Sequence, residues 1–122
     1  MPLLNRKDIK RPTAPARAVE SALFGGAVKV RGLMLSEQLA FEQRKAARAK
    51  ARHEAGETDL APTDFRYVSE VLALTVLDAE GGPVGAVEDW ELWGVQNVDA
   101  VMALYSVARE LSNLDGEATE KN

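Results

Sequence analysis

The amino-acid sequence predicts an α+β fold, mostly α, in which an N-terminal β-hairpin packs on a small bundle of three to four helices. Residues 28–31 alternate valine with a basic side chain, which is the period of a half-buried strand, and they follow the pair Gly25 and Gly26 after one alanine. Strong helix formers dominate residues 37–55. Apolar residues recur at intervals of three and four across residues 98–114, as in an amphipathic helix.

The chain has 122 residues, the length of one domain. Its beginning is rich in proline and basic side chains and lacks hydrophobic periodicity, so we expect a flexible basic arm over residues 1–16. A single α+β domain is predicted over residues 17–115, followed by a polar tail over residues 116–122. The hairpin opens the domain, with Val19 on its first strand and the glycine pair in its turn.

Capping signals and helix breakers predict the boundaries of the helices. Ser36 is predicted to cap the first helix, and no capping box is expected because Leu39 stands three residues later. For residues 71–77 a helix is favoured, although the β-branched residues leave a strand open as the alternative. The stretch VEDWELWG predicts a short helix that ends at Gly94, and Asn97 is predicted to cap the last helix.

The last predicted helix carries the clearest amphipathic pattern of the chain. A helix with one apolar stripe packs that stripe against the rest of its domain. The residues that we expect on this core-facing stripe are Val98, Val101, Met102, Tyr105, Ala108, Leu111 and, at its end, Leu114.

Charge is divided unevenly along the chain, although the net charge is only −4. Residues 1–52 hold 12 basic and four acidic side chains, a net charge of +8, whereas residues 53–122 carry a net charge of −12. Such a chain can fold its halves together, associate head to tail with copies of itself or bind a charged partner. Without cysteine or a long apolar run, we expect a cytoplasmic protein with no disulfides and no membrane partner.

The side chains that enzymes use are scarce and poorly arranged for chemistry. His53 is the only histidine, and its position on a polar helix end suits the protein surface better than a metal site or a general base. Gly81, Gly82 and Gly85 lack the lysine and the Ser/Thr of a phosphate loop. We therefore expect no catalytic residue, no metal ligand and no cofactor, which indicates a non-enzymatic binding or assembly protein.

Two regions are candidates for partner binding or self-association. A short acidic helix carries two tryptophans three residues apart, which suits either core anchoring or a partner anchor, while helix-dipole stabilisation explains its acids. A basic run on the first helix suits a solvated face, a protein-binding surface or, less well, a nucleic-acid contact, because no aromatic residues are interleaved. The candidates are Arg44, Lys45, Arg48, Arg52, Glu88, Asp89, Trp90, Glu91 and Trp93.

The order of these segments, over about Lys7 to Asp115, resembles the tail assembly chaperones of long-tailed, non-contractile (siphovirus-type) bacteriophages. Three short motifs carry the resemblance, and none is a catalytic signature. Relatives in that family tend to carry a tryptophan where this chain has Phe24. The motifs are Gly26-x-Val28-x-Val30-Arg31-Gly32-Leu33 followed by Ser36-Glu37 and Phe41-Glu42; Leu77-Asp78-x-Glu80-Gly81; and Glu110-Leu111-Ser112-x-Leu114.

The resemblance implies a non-enzymatic protein of the host cytoplasm that is absent from the mature virion. Such chaperones are thought to bind the long helical tape-measure protein, keep it soluble and promote tail-tube polymerisation around it. In many of them, a longer form made by ribosomal frameshifting is thought to recruit the tail-tube protein. We further hypothesise a homo-oligomer in which the basic face of one copy meets the acidic helix of its neighbour. The alternative is a small nucleic-acid-associated phage or bacterial protein that uses the basic N-terminal half.

Overall fold

The computed structural model describes residues 2–10, 14–56 and 65–112, and it confirms the predicted α+β fold that is mostly α. Leu114 and the polar tail predicted at 116–122 lie outside the described residues, and the division into arm and domain stays a prediction. The elements in chain order are a 3-10 helix (Arg6–Asp8), β1 (Ala16–Ser21), β2 (Gly26–Arg31), α1 (Leu35–Glu54), α2 (Arg66–Thr75), β3 (Val76–Leu77), α3 (Val87–Gln96) and α4 (Val98–Leu111).

The hairpin formed by β1 and β2 agrees with the sequence prediction. The strands pair antiparallel, so that Val19 lies opposite Val28. The turn depends on Gly25, whose φ of +67° is in the left-handed region that glycine adopts without a steric penalty. The backbone N–H groups of Phe24 and Gly25 both donate to the Ser21 carbonyl, at 3.2 and 3.0 Å, and these bonds close the turn.

Residues 71–77 divide between the two structures that the sequence left open. α2 continues to Thr75, whose hydroxyl donates to the Val71 carbonyl at 2.8 Å. The chain then changes to extended backbone, and Val76–Leu77 form β3 beside β2. This third strand gives the sheet the order β1-β2-β3, with every pair antiparallel. Pairing with β2 therefore overrides helix propensity for the last two residues of the segment.

The charged turn after β3 is organised by one aspartate. The Oδ1 atom of Asp78 accepts hydrogen bonds from the backbone N–H groups of Glu80 and Gly82 at 2.9 and 3.0 Å. Gly81 has a φ of +88°, which favours glycine at this position. The second motif of the resemblance thus has a structural role in the turn that follows β3.

The predicted start of α1 is wrong by two residues. Met34, not Ser36, is the N-cap residue, and Ser36 lies inside the first turn. The carboxylate of Glu37 accepts a hydrogen bond from the Met34 backbone N–H at 2.8 Å. This bond is the half of a capping box in which the third helical residue reaches back to the cap, so Glu37 rather than Ser36 fixes the helix start.

The junction between α3 and α4 also differs from the prediction. Gly94 lies within α3, which ends at Gln96. Asn97 precedes α4 as predicted, but its side chain does not accept a capping bond. Its amide instead donates to the Trp93 carbonyl at 3.3 Å, so the side chain ends α3 rather than starting α4.

The hydrophobic core lies where the sheet meets α2, α3 and α4. α1 contributes only Phe41 as a buried residue from its 20-residue length. Such a helix covers one edge of the core and leaves most of its surface to solvent or to a partner. The core residues with the least exposure are Val30, Leu72, Val76, Trp90, Leu104 and Ala108.

The buried stripe of α4 corrects the sequence prediction at two positions. Val98 and Met102 were expected in the core, but they are 59% and 44% exposed. Leu104, which the predicted stripe omitted, is 1% exposed. The buried residues of α4 follow the i, i+3, i+4, i+7 series from Val101 to Ala108, and Val98 and Met102 lie to one side of that series.

The β2–α1 connection and the end of α4 form a close contact, which we call the Ser112 junction (Gly32, Leu33, Gln38 and Ser112). The Leu33 backbone N–H donates to the Ser112 hydroxyl oxygen at 2.8 Å, and the Gln38 side chain donates to the Ser112 carbonyl at 3.0 Å. These bonds join two of the stretches that carry the resemblance and fix α4 against the sheet.

Arg31 and Glu37 form a partly buried, bidentate ion pair between β2 and α1. Nη1 lies 2.9 Å from Oε1 and Nη2 lies 3.0 Å from Oε2. The hydrogen bonds from Arg31 hold the pKa of Glu37 below its ordinary value, and Glu37 raises the pKa of Arg31. The charged form of Glu37 is therefore the form that stabilises the fold.

Glu37→Gln is expected to lower the free energy of unfolding by about 1.5 kcal/mol at neutral pH, a typical value for hydrogen bonds to charged groups. Because the folded-state pKa of Glu37 lies below its unfolded value, this stabilisation is present above the unfolded pKa and is lost as the pH falls through the folded pKa. Urea unfolding across acid pH should therefore show wild type and variant converging. Glu20→Gln, at an exposed acid on β1, is the control and should change the free energy of unfolding by less than about 0.5 kcal/mol. A constant difference between Glu37→Gln and wild type at all pH values would contradict this account.

Candidate partner-binding surfaces

The basic face of α1 is partly occupied within the chain. Arg44 Nε lies 3.5 Å and Arg48 Nη1 3.8 Å from the carboxylate of Glu70 on α2. Lys45 lies 5.6 Å from the centre of the Tyr67 ring, a cation–π distance. These contacts hold α1 against α2, while Arg52 lies in the last turn of α1. The sequence could not identify Glu70 as a partner, because the contact joins residues far apart in the chain.

The acidic residues of α3 also have roles within the chain. Arg66 on α2 forms ion pairs with Glu88 and with Glu91, the latter at 3.8 Å. These acids, Glu88 above all, raise the pKa of Arg66. Asp89 accepts a hydrogen bond from the Ala86 backbone N–H at 2.9 Å and so caps the start of α3. The side chain of Glu88 remains 72% exposed, so the hypothesised contact with a neighbouring copy stays a prediction.

The two tryptophans belong to an aromatic cluster at the edge of the core. Trp90 is 1% exposed and makes edge-to-face contacts with Trp93 and Phe24, with ring centres 4.9 and 5.9 Å apart. Phe24 in the hairpin turn also contacts Trp93 at 5.0 Å. Gly85 lies so close to Trp93 that a Cβ atom there would be 2.8 Å from the ring. Trp90 therefore packs α3 against the core, and of the two tryptophans only Trp93 is partly exposed to solvent.

An exposed apolar surface on α3 and α4 was not predicted as a site. Its two α3 residues are 71% and 73% exposed and lie three positions apart, on the side of the helix away from Trp90. Its two α4 residues lie four positions apart. We call these residues the apolar α3–α4 surface: Leu92, Val95, Val98 and Met102.

A shallow depression of about 610 Å³ lies at the α3–α4 junction, beside two of these four residues. Val95 and Val98 both line it, and Ala22 from the hairpin turn closes one side. Polar groups at the α3–α4 junction, including Asn97 and Asp99, complete the lining. The arrangement combines apolar residues with a polar border, as protein-binding surfaces commonly do. The signal in the sequence was the pair Val98 and Met102, whose spacing we assigned to the core.

His53, the histidine considered for a metal site or a general base, is exposed in the last turn of α1. Across residues 2–10, 14–56 and 65–112, no three histidine or acidic side chains are grouped so that they could hold a metal ion. Within the same ranges, no helix has the length and apolar character needed to cross a bilayer.

Comparison with known proteins identifies no relative. No family model matches this chain, and no curated protein or solved structure is significantly similar to it.

Proposed function

We propose that this protein is a non-enzymatic tail assembly chaperone of a long-tailed, non-contractile bacteriophage. It binds the tape-measure protein in the host cytoplasm, keeps it soluble and promotes polymerisation of the tail tube around it. The observation that carries this proposal is the apolar α3–α4 surface, which leaves four large hydrophobic residues exposed on two adjacent helices. A contiguous exposed apolar patch with a polar border is typical of an interaction site.

The shape and chemistry of this surface suit an amphipathic helix. Helix-in-groove recognition uses apolar anchors at spacings of three and four on the bound helix, inserted between apolar residues of the receptor. Val95 and Val98 line a shallow depression that can receive such an anchor, and Leu92 and Met102 extend the apolar area on either helix. A long tape-measure helix would offer this kind of face repeatedly, so that many copies of the chaperone bind along it.

Self-association would present the surface in a repeated array. Arg44 and Arg48 share a single carboxylate, that of Glu70, which leaves an excess of positive charge on α1. Glu88 on α3 is largely exposed although it pairs with Arg66. These opposite charges support the head-to-tail homo-oligomer. A frameshifted longer form, which brings in the tail-tube protein, belongs to the same proposal.

The nucleic-acid alternative has less support from the described residues. Two arginines of the basic face are engaged by Glu70, which lowers the positive charge available to phosphates. The aromatic cluster lies on α3 and the hairpin turn, apart from the basic face, and Trp90 is buried. The two tryptophans therefore do not offer a base-stacking platform beside the basic face.

Co-expression with the tape-measure protein tests the proposal. The partner is the largest predicted-helical tail protein encoded in the same genome, and its soluble fraction is measured with and without this chain. We expect the tape-measure protein to be soluble only in the co-expressing cells and to elute together with this chain. An insoluble tape-measure protein, or a soluble one that elutes alone, would contradict the proposal. Salt-sensitive retention on a DNA column would instead favour the alternative.

A further inference from the structure

A pocket of about 170 Å³ lies between α1, α2 and α4 and shares no residue with the apolar α3–α4 surface. One part of its lining is apolar: Leu33, Phe41 and Val71, each less than one-tenth exposed. The other part is polar and holds more positive than negative charge. These polar residues are Gln38, Glu42, Lys45, Tyr67, Tyr105 and Arg109.

The two cations of the pocket are associated with tyrosine rings rather than with carboxylates. Lys45 Nζ lies 5.6 Å from the centre of the Tyr67 ring, and Arg109 Cζ lies 5.9 Å from that of Tyr105. Neither cation takes part in an ion pair within the part of the chain that the structure describes. Because Glu42 is the one acid in the lining, the pocket carries an excess of one positive charge.

The tyrosine hydroxyls provide neutral hydrogen-bonding groups beside these cations. Tyr105 is 6% exposed, and burial is the main cause that raises its pKa to about 12, so its hydroxyl keeps its proton at neutral pH. The rings of Tyr67 and Tyr105 are in edge-to-face contact, with centres 6.0 Å apart. The Gln38 amide N–H groups already donate to the carbonyls of Leu33 and Ser112. Lys45 and Arg109 are thus the charged donors left for a ligand.

We propose that this pocket binds a carboxylate carried on a short aliphatic chain. Lysine and arginine donors form strong, charge-assisted hydrogen bonds with a carboxylate, and the apolar part of the lining can receive the methylene groups. Phosphate would satisfy the cations, but it has no methylene groups to contact the apolar part of the lining. The same carboxylate chemistry is offered by a free small molecule and by a glutamate side chain on a binding partner.

Titration with sodium butyrate, followed by two-dimensional NMR of the full chain, tests this site. Butyrate should shift the resonances of residues around the pocket in a saturable way, whereas butyramide, its uncharged analogue, should not. Lys45→Gln should weaken binding at least about tenfold, since it removes a charge-assisted hydrogen bond. Lys50→Gln, an exposed lysine on the same helix that does not line the pocket, is the matched control and should leave binding unchanged.

The outcomes separate the site from its alternatives. Equal binding by butyramide, stronger binding by inorganic phosphate, or equal affinity for Lys45→Gln and wild type would each overturn the proposal. A capped helical peptide with a single glutamate then identifies the source of the carboxylate. Competition between peptide and butyrate assigns the pocket to protein-borne carboxylates, and butyrate binding without peptide binding assigns it to free ones.

Discussion

Trp90→Ala is expected to lower the free energy of unfolding by about 3–5 kcal/mol, the usual range for removing a fully buried large aromatic side chain. Trp90 is 1% exposed and contacts the rings of Phe24 and Trp93, so its loss opens a cavity between α3 and the hairpin turn. A domain of this size is stabilised by only about 5–15 kcal/mol in total. The variant should therefore unfold at much lower urea concentration than wild type.

Two further variants make this prediction decisive even if Trp90→Ala does not fold. Leu92→Ala, on the same helix but 71% exposed, should change the free energy of unfolding by less than about 0.5 kcal/mol. Trp90→Phe keeps a ring in the cluster and removes an indole N–H that has no hydrogen-bond partner among the described residues. It should destabilise clearly less than Trp90→Ala. Equal effects of Leu92→Ala and Trp90→Ala would show that the cluster does not anchor α3.

Gly32→Ala is expected to destabilise the fold by about 1–3 kcal/mol through overpacking at the Ser112 junction. A Cβ atom on Gly32 would lie 2.5 Å from the Leu111 carbonyl oxygen and 2.9 Å from its carbonyl carbon. Both are backbone atoms, so rotation of a side chain cannot relieve the clash. Moving α4 away would lengthen the hydrogen bond from the Leu33 backbone N–H to the Ser112 hydroxyl.

Urea unfolding of Gly32→Ala and Gly26→Ala checks this prediction. Gly26 is the matched control, because it lies at the other end of β2 and a Cβ atom there meets nothing within 4 Å. We expect Gly26→Ala to change the free energy of unfolding by less than about 0.5 kcal/mol. Similar stabilities of the two variants would mean that the β2–α1 connection is not held closely against α4.

Local patterns predicted the hairpin and the helices because those elements depend on residues close in sequence. The alternation around Val28 and Val30 reflects one buried face of β2, and Val30 is indeed fully buried. β3 could not be predicted in this way, because a strand of two residues exists only through its pairing with β2. The boundary between α2 and β3, which falls between Thr75 and Val76, has the same cause. Neither threonine nor valine signals the end of a helix by itself.

The candidate site was predicted less completely than the fold. Helix periodicity cannot separate a buried stripe from an exposed apolar stripe beside it, and so Val98 and Met102 were assigned to the core. The count of charged residues showed that the N-terminal part of the chain is basic and the C-terminal part is acidic. It did not show that Arg44 and Arg48 pair with Glu70. Those contacts depend on how α1 packs on α2, which the sequence pattern does not specify.

The measurement that tests the central proposal most directly compares two aspartate variants in co-purification with the tape-measure protein. Val95→Asp places a charge in the depression of the apolar α3–α4 surface, where Val95 is 73% exposed. Leu35→Asp introduces the same charge at an equally exposed apolar residue in the first turn of α1. Circular dichroism of each purified variant confirms that both are folded.

We predict that wild type and Leu35→Asp retain similar amounts of tape-measure protein. Val95→Asp should retain at least about tenfold less, as expected for a residue at the centre of a binding surface. Retention by Val95→Asp at the level of wild type would contradict the proposal that the apolar α3–α4 surface binds the tape-measure protein. An equal loss for both variants would contradict it as well, because the effect would then not belong to this surface.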